Sequence, residues 1–182
     1  MKIYFVTSNR TKFVEVERVL GLRLVMKRLN IPEIQATEVS EVVEEKAKTA
    51  YGMLKKPLIV EDTGLYLKAL NGFPGALMKW MFDSIGNDGI CSMLDGFSDR
   101  SAYAETCICF YDGKTSRVFS GRIDGVIAKQ PKGEYGFDWD RIFQPKGIAK
   151  TFGEMSMDQK NSMSMRAEAA LKLKRALNLG SK

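Results

Sequence analysis

The chain opens on a short apolar run and then changes period. Residues 2–7 (KIYFVT) are apolar and rich in β-formers, which predicts a buried strand. Thr7, Ser8 and Asn9 then supply cap-type side chains ahead of a stretch in which Phe13, Val16, Val19 and Leu20 recur at helical spacing, with Gly21 ending it. Residues 22–29 (LRLVMKRL) alternate apolar with basic, the pattern of a half-exposed strand. A β-α-β opening of this kind points to an α/β fold.

The same reading continues downstream. Residues 38–55, rich in Glu, Lys and Ala, predict a helix, and 58–61 (LIVE) a short buried strand ending in Glu61-Asp62-Thr63-Gly64. Alternation from Leu65 to Leu70 predicts a second strand, and Asn71-Gly72-Phe73-Pro74-Gly75 a turn. Helices are expected over 76–84 and 87–95, then two strands, 101–111 and 115–127, joined by a hairpin turn at Asp112-Gly113-Lys114. A loop over 129–136 leads into Phe137–Phe143, whose aromatic and charged residues fit neither strand nor loop pattern. Residues 156–178 predict a C-terminal helix, with Ser156 and Gln159 spaced as a capping box. With no repeat, linker or low-complexity stretch, residues 1–182 read as one domain, a mixed sheet flanked by helices.

Composition narrows the chemistry. The chain of 182 residues can bury a substantial core, and 45% hydrophobic with 27% charged residues is usual for a soluble globular protein. No apolar run reaches the roughly 20 residues of a membrane helix, and the apolar start is too short for a signal peptide, so a cytoplasmic protein is expected. Three cysteines cannot complete a disulfide framework; Cys107 and Cys109 read as small core residues on one strand face. The chain has no histidine, which excludes Ser-His-Asp and Cys-His catalysis and histidine-liganded zinc, leaving acid–base work to Asp, Glu, Lys, Tyr or Cys and leaving carboxylate-held hard metals open. The net charge of +6 suits an anionic ligand, but its spread along the chain argues against a nucleic-acid surface.

Four segments carry candidate chemistry. Thr7-Ser8-Asn9-Arg10-Thr11-Lys12 sits where a helix N-terminus offers free N–H groups to phosphate, although taken alone a plain helix cap explains it better. Glu61 and Asp62 are adjacent carboxylates at the end of an apolar strand, costly there without a metal or cationic partner; Glu33 is a third candidate acid. Phe137-Asp138-Trp139-Asp140 combines rings with acceptors, as a pocket for a flat base would, or as a core aromatic pair would. In Lys160–Arg166, helical spacing puts Lys160 and Ser164 on one face and Arg166 well away. For all three to serve one site, the helix must break near Ser162 to Ser164, where a serine could cap a second segment.

Together these stretches resemble the inosine triphosphate pyrophosphatase family. The matching blocks are TSNRTK at 7–12, IPEIQ at 31–35, VEDTGLYLKALNGFPG at 60–75, GFDWDRIFQPKG at 136–147 and TFGEMSMDQKNSMSMR at 151–166, in family order. The resemblance implies an elongated mixed sheet in two lobes with a nucleotide cleft between them, and hydrolysis of ITP, dITP and XTP to monophosphate and pyrophosphate. It implies that Thr7, Ser8, Asn9, Lys12 and Lys46 hold the triphosphate. Glu33, Glu61 and Asp62 would gather magnesium (Mg2+) and the attacking water, with Asp62 as general base and Lys12 and Glu33 assisting. Phe137, Trp139, Asp140, Lys160, Ser164, Met165 and Arg166 would surround the base and close over the nucleotide. A homodimer is also implied, with no nucleic acid or membrane partner.

The chain departs from the family pattern at three places: Met165 stands where a histidine is usual, Asp138 where a glycine is, and Arg141 where a proline is. Methionine cannot donate the hydrogen bond that histidine can. A nucleotide-binding sensor without catalysis, a pyrophosphatase for other modified nucleotides, and a basic RNA-binding module are the competing expectations.

Overall fold

The computed structural model describes residues 2–177 and contains one seven-stranded mixed sheet. Its elements are β1 (Tyr4–Val6), α1 (Arg10–Leu20), β2 (Val25–Lys27), α2 (Val39–Leu54), β3 (Leu58–Leu67), β4 (Pro74–Gly75), α3 (Met78–Met93), β5 (Ser101–Tyr111), β6 (Ser116–Ile127), β7 (Phe143–Pro145), α4 (Met157–Asn161) and α5 (Met165–Ala176). The strand order is β2-β1-β3-β5-β6-β7, with β4 added to β3. β1 lies parallel to both β2 and β3, and every other pairing is antiparallel. Among the described residues no helix is long and apolar enough to cross a membrane.

Side-chain alternation along β3 and β5 sorts the core into three groups. On one face Ile59 and Ile108 pack with Phe5, Phe13 and Val16 of the β1–α1 region and with Ala169 and Leu173 of α5. Further along that same face, Leu65 and Ala104 join Ile90 of α3 and the Trp139–Phe143–Phe152 aromatics. On the opposite face Val60, Cys107 and Cys109 pack under Val43 and Ala47 of α2. Between the two clusters of the first face, at Glu61, Thr63 and Thr106, the alternating positions are polar although Glu61 and Thr106 are buried.

Several expectations change. The strand expected at 58–61 and the one expected at 65–70 are a single ten-residue strand ending at Leu67, while 68–70 form a 3-10 turn. Glu61-Asp62-Thr63-Gly64 is therefore mid-strand; β5 pairs along its whole length and overrides the local turn signal. The strand expected over 22–29 shrinks to Val25–Lys27, the part that β1 can pair. The two helices expected over 76–84 and 87–95 meet at Gly86, whose φ of 62° and ψ of −174° interrupt α3. Residues 156–178 hold two helices, not one, and residue 178 lies outside the described residues. The capping box stands: Ser156 N donates to Gln159 Oε1 at 3.0 Å and Gln159 N to Ser156 Oγ at 3.3 Å.

Glycine lets α5 lie directly on β6. A Cβ at Gly121 would stand 2.0 Å from the Met165 carbonyl oxygen and 2.8 Å from Ala169 N, both backbone atoms. Gly121→Ala must therefore push α5 off the sheet, and a loss of about 3 kcal/mol or more is expected by urea unfolding. Gly52→Ala is the opposite case: it sits inside α2 with nothing within 4 Å of its added Cβ. It should stabilise by about 0.5–1 kcal/mol through helix propensity and a less flexible unfolded chain. Equal effects at both sites would refute the close-approach argument.

Candidate active site

The site forms where the sheet has a gap. β1 pairs β3 only at Leu58 and Ile59, and β4 pairs it only from Leu65, so among the described residues the Glu61–Gly64 edge of β3 has β5 on one side and no strand on the other. The N-terminus of α1 stands beside this open edge, and a cleft of about 610 Å³ occupies the space. Thr7, Ser8, Asn9 and Lys12 line it from α1, Glu61, Asp62 and Thr63 from β3, and Glu33 and Lys46 from the loop before α2 and α2 itself. Asn9 caps α1, its Oδ1 accepting from Thr11 N at 2.9 Å and Lys12 N at 3.1 Å. Its side-chain oxygen is thus committed to the helix.

Glu61 and Asp62 point to opposite faces of β3 by strand alternation, yet one ammonium reaches both. Lys12 Nζ lies 3.0 Å from Glu61 Oε2 and 3.4 Å from Asp62 Oδ1, possible only because no strand blocks that edge. Glu61 Oε1 accepts from Thr63 Oγ1 at 2.6 Å and from Arg166 Nε at 3.2 Å. Its Oε2 is buried and, apart from the Lys12 ion pair, has no aligned hydrogen-bond donor among the described residues. Burial alone would raise the Glu61 carboxyl, but Arg166 and Lys12 outweigh it and hold the group down at about 2. Burial likewise opposes the charge on Lys12, and Glu61 and Asp62 more than offset it, raising its affinity for the proton.

Arg166 is the centre of the buried part. Its Nη1 donates to Glu15, its Nε to Glu61 and its Nη2 to Thr63 Oγ1 at 3.2 Å. Glu15 also faces Lys160 at 3.4 Å, and Lys160 Nζ donates to Asp140 Oδ2 at 2.7 Å. Asp140 in turn accepts from Phe137 N at 2.9 Å, which closes the 137–140 turn. The Phe137 ring lies 5.0 Å from Lys160 Nζ and 5.6 Å from Arg166 Cζ. Phe137, Asp140, Lys160 and Arg166 line a second, smaller cavity of about 30 Å³, which shares Lys12, Thr63, Asp138 and Trp139 with the lining of the cleft.

The helix break expected between Lys160 and Arg166 is present. α4 ends at Asn161, and Ser164 caps α5 by accepting from Ala167 N at 3.2 Å. The break turns Arg166 onto the side where Lys160 points, and both meet Glu15. Ser164 itself borders neither cavity; its hydroxyl serves the cap. Met165 is buried among Phe143, Phe152 and Met155 while also bordering the smaller cavity. Asp138 takes a left-handed φ of 51°, a conformation that glycine adopts freely and aspartate tolerates. Arg141 donates from Nε to Gly133 O at 3.0 Å and so ties the turn to the preceding loop.

Glu33 is not gathered with Glu61 and Asp62. Its carboxylate is bonded to Lys46, and among the described residues no three Asp, Glu, Cys or His side chains are close enough together to form a metal cage. Sequence reasoning also missed Glu15, Thr63 and Thr106. Glu15 carried a usable signal only in its spacing: it stands three residues after Lys12, on the neighbouring turn of the same side of α1.

The family model described as the Ham1 family matches residues 3–176. The chain belongs to the Ham1 family. "Inosine triphosphate pyrophosphatase 2" of Trypanosoma cruzi is 43% identical over 178 residues, covering 95% of this chain and 90% of that protein. "dITP/XTP pyrophosphatase" of Pyrococcus horikoshii is 40% identical over 173 residues, covering 93% and 92%. A solved Ham1 protein from Coxiella burnetii superposes with a TM-score of 0.87 at 25% identity, covering 98% of this chain and 99% of that one. Ham1 membership agrees with the order of the five sequence blocks.

The charge on Glu61 makes a pH prediction. Its folded value of about 2 lies below the ordinary 4.5, so its stabilisation is complete above pH 4.5 and is lost as the pH falls through 2. The loss is on the order of 3 kcal/mol. Glu61→Gln should be less stable at neutral pH, and its deficit against the wild type should shrink across that window in urea unfolding at stepped pH. A deficit independent of pH would show that the carboxylate charge is not what Arg166 and Lys12 hold.

Proposed function

We infer that this protein is a nucleoside triphosphate pyrophosphatase that hydrolyses ITP, dITP and XTP to the monophosphate and pyrophosphate. The observation that carries this is the meeting of Lys12 with Glu61 and Asp62 at the gap in the sheet, in a cleft that shares Lys12, Thr63, Asp138 and Trp139 with the lining of the Phe137–Lys160–Arg166 cavity. The names of the Trypanosoma and Pyrococcus relatives support the same reaction.

The donor set suits magnesium. Magnesium is usually held by one or two carboxylates plus substrate phosphates rather than by an all-protein cage. Glu61, whose Oε2 has no aligned donor, and Asp62 fit that role, with Glu33 able to join from its exposed loop. When bound, the metal neutralises charge on the phosphate oxygens.

The chain's own groups do the rest. The positive end of α1, whose Thr11 and Lys12 N–H groups are already capped by Asn9, attracts the phosphates, and the Ser8 and Lys12 side chains receive their oxygens. Asp62 orients water and takes its proton as the oxygen attacks the α-phosphorus; the α–β bridging bond breaks and pyrophosphate leaves. Lys12 and Lys46 stabilise the charge that develops on the leaving group. At the other end the small cavity must widen to admit the purine; Phe137 then stacks on it, while Lys160 and Arg166 present their remaining N–H donors to an oxygen at the six-position. An adenine amine there would leave those donors unpaired, which discriminates strongly. The soluble character, homodimeric state and cytoplasmic location expected from the sequence belong to this same reading.

Pyrophosphate release from ITP, XTP, dITP, GTP and ATP, with and without magnesium, tests it. Magnesium-dependent release favouring ITP, dITP and XTP is expected; release that ignores the base would overturn the selectivity, and none at all would leave a binding protein. Asp62→Asn should lower kcat by roughly 10²–10⁴-fold. Near-normal turnover in that variant would remove Asp62 as the base.

A further inference from the structure

Every cation assigned to the nucleotide is already paired with an acid. Lys12 sits on Glu61 and Asp62, Lys46 on Glu33, Lys160 on Asp140 and Glu15, and Arg166 on Glu15 and Glu61. Of the charged side chains that line the cleft, Lys12, Lys46 and Lys79 face Glu33, Glu61, Asp62 and Asp138, so the ionised cleft carries one net negative charge although the whole chain carries +6. Local charge, not the total, governs a ligand within the cleft. A free triphosphate entering here meets an acidic surface and lysines that are not available to it.

We propose that Glu33, Glu61 and Asp62 act as masks on Lys12 and Lys46, so that the cleft refuses a free polyphosphate and accepts only one that brings a divalent cation. The arriving cation replaces the lysines as partner of the carboxylates, and the lysines turn to the phosphates. The exchange keeps each buried charge paired throughout, as a low-dielectric site requires. It deepens the triphosphate reading of the cleft and rests on it, but is independent of which base the pocket prefers.

The masks are unequal. Asp62 and Glu61 lie within the protein, 18% and 0% exposed at the side chain, and hold Lys12, which is 17% exposed. Glu33 is 48% exposed, so its hold on Lys46 is screened by water. The inner mask should therefore dominate the refusal.

The test is binding of inorganic tripolyphosphate, which has no base, by isothermal titration calorimetry in excess chelator and in magnesium. The wild type should bind weakly in chelator and at least about tenfold more tightly in magnesium. Asp62→Asn, which loses the mask but keeps the shape, should bind about tenfold more tightly than the wild type in chelator and gain much less from magnesium. Glu33→Gln should show the same sign at about two- to threefold. A merely damaged site would bind more weakly under both conditions, so the gain in chelator is the decisive sign. Tight wild-type binding in chelator, weaker binding by Asp62→Asn in chelator, or no binding by either protein under any condition would each overturn the masking. If the masking pattern holds while ITP is not hydrolysed, the base assignment fails and the masking stands.

Discussion

The buried guanidinium of Arg166 is the constraint around which this molecule is arranged. It is 2% exposed and cannot shed its charge, so its surroundings must supply carboxylates. They come from distant parts of the chain: Glu15 from α1 and Glu61 from β3, with Thr63 taking a further N–H. These contacts tie the first helix, the central strand and the last helix at one point. Removing Glu15 would leave Arg166 with Glu61 alone and Lys160 with Asp140 alone, two buried cations each short of one carboxylate.

That point lies between two apolar clusters on one face of the sheet. Ile59 and Ile108 belong to one, Leu65 and Ala104 to the other, and the intervening inward positions are Glu61, Thr63 and Thr106. Thr63 and Thr106 share a 2.7 Å hydrogen bond across β3 and β5, so the polar band continues from strand to strand. A core interrupted in this way sacrifices apolar burial to hold a charged site rigid. The sheet pays a second cost at the same place, because β3 leaves its Glu61–Gly64 edge without a strand partner. Both sacrifices converge on the cleft.

Much of this was legible in the sequence where the signal was local. The strands β5 and β6 and the hairpin between them, α2, the capping box at Ser156 and the break before Arg166 all follow from periodicity and cap chemistry. What was not legible depends on partners far along the chain. Glu61-Asp62-Thr63-Gly64 resembles a turn until β5 pairs with it through all ten residues. Glu15 resembles an ordinary polar helix position until α5 brings Arg166 against it. Ser164 has the right residue type for a ligand contact, but its hydroxyl is spent on the cap that makes the break possible. Glu33 and Lys46 are both at the cleft, yet a sequence cannot show that each is the other's partner.

The departures from the family pattern divide by what each position is asked to do. At 138 the requirement is conformational: the chain must pass through a φ of 51°, and aspartate can do so, with Asn87 Nδ2 donating to its carbonyl oxygen at 3.1 Å. At 141 the turn is secured by a side-chain bond to Gly133 in place of a rigid ring. At 165 methionine offers no hydrogen-bond donor, and its side chain joins the buried cluster of Phe143 and Phe152. Lys160 and Arg166, which border the smaller cavity beside Met165, are both anchored by Glu15. Lys160 and Arg166 are thus both fixed by the buried ion network, so a substitution at either disturbs the contacts that join α1, β3 and α5.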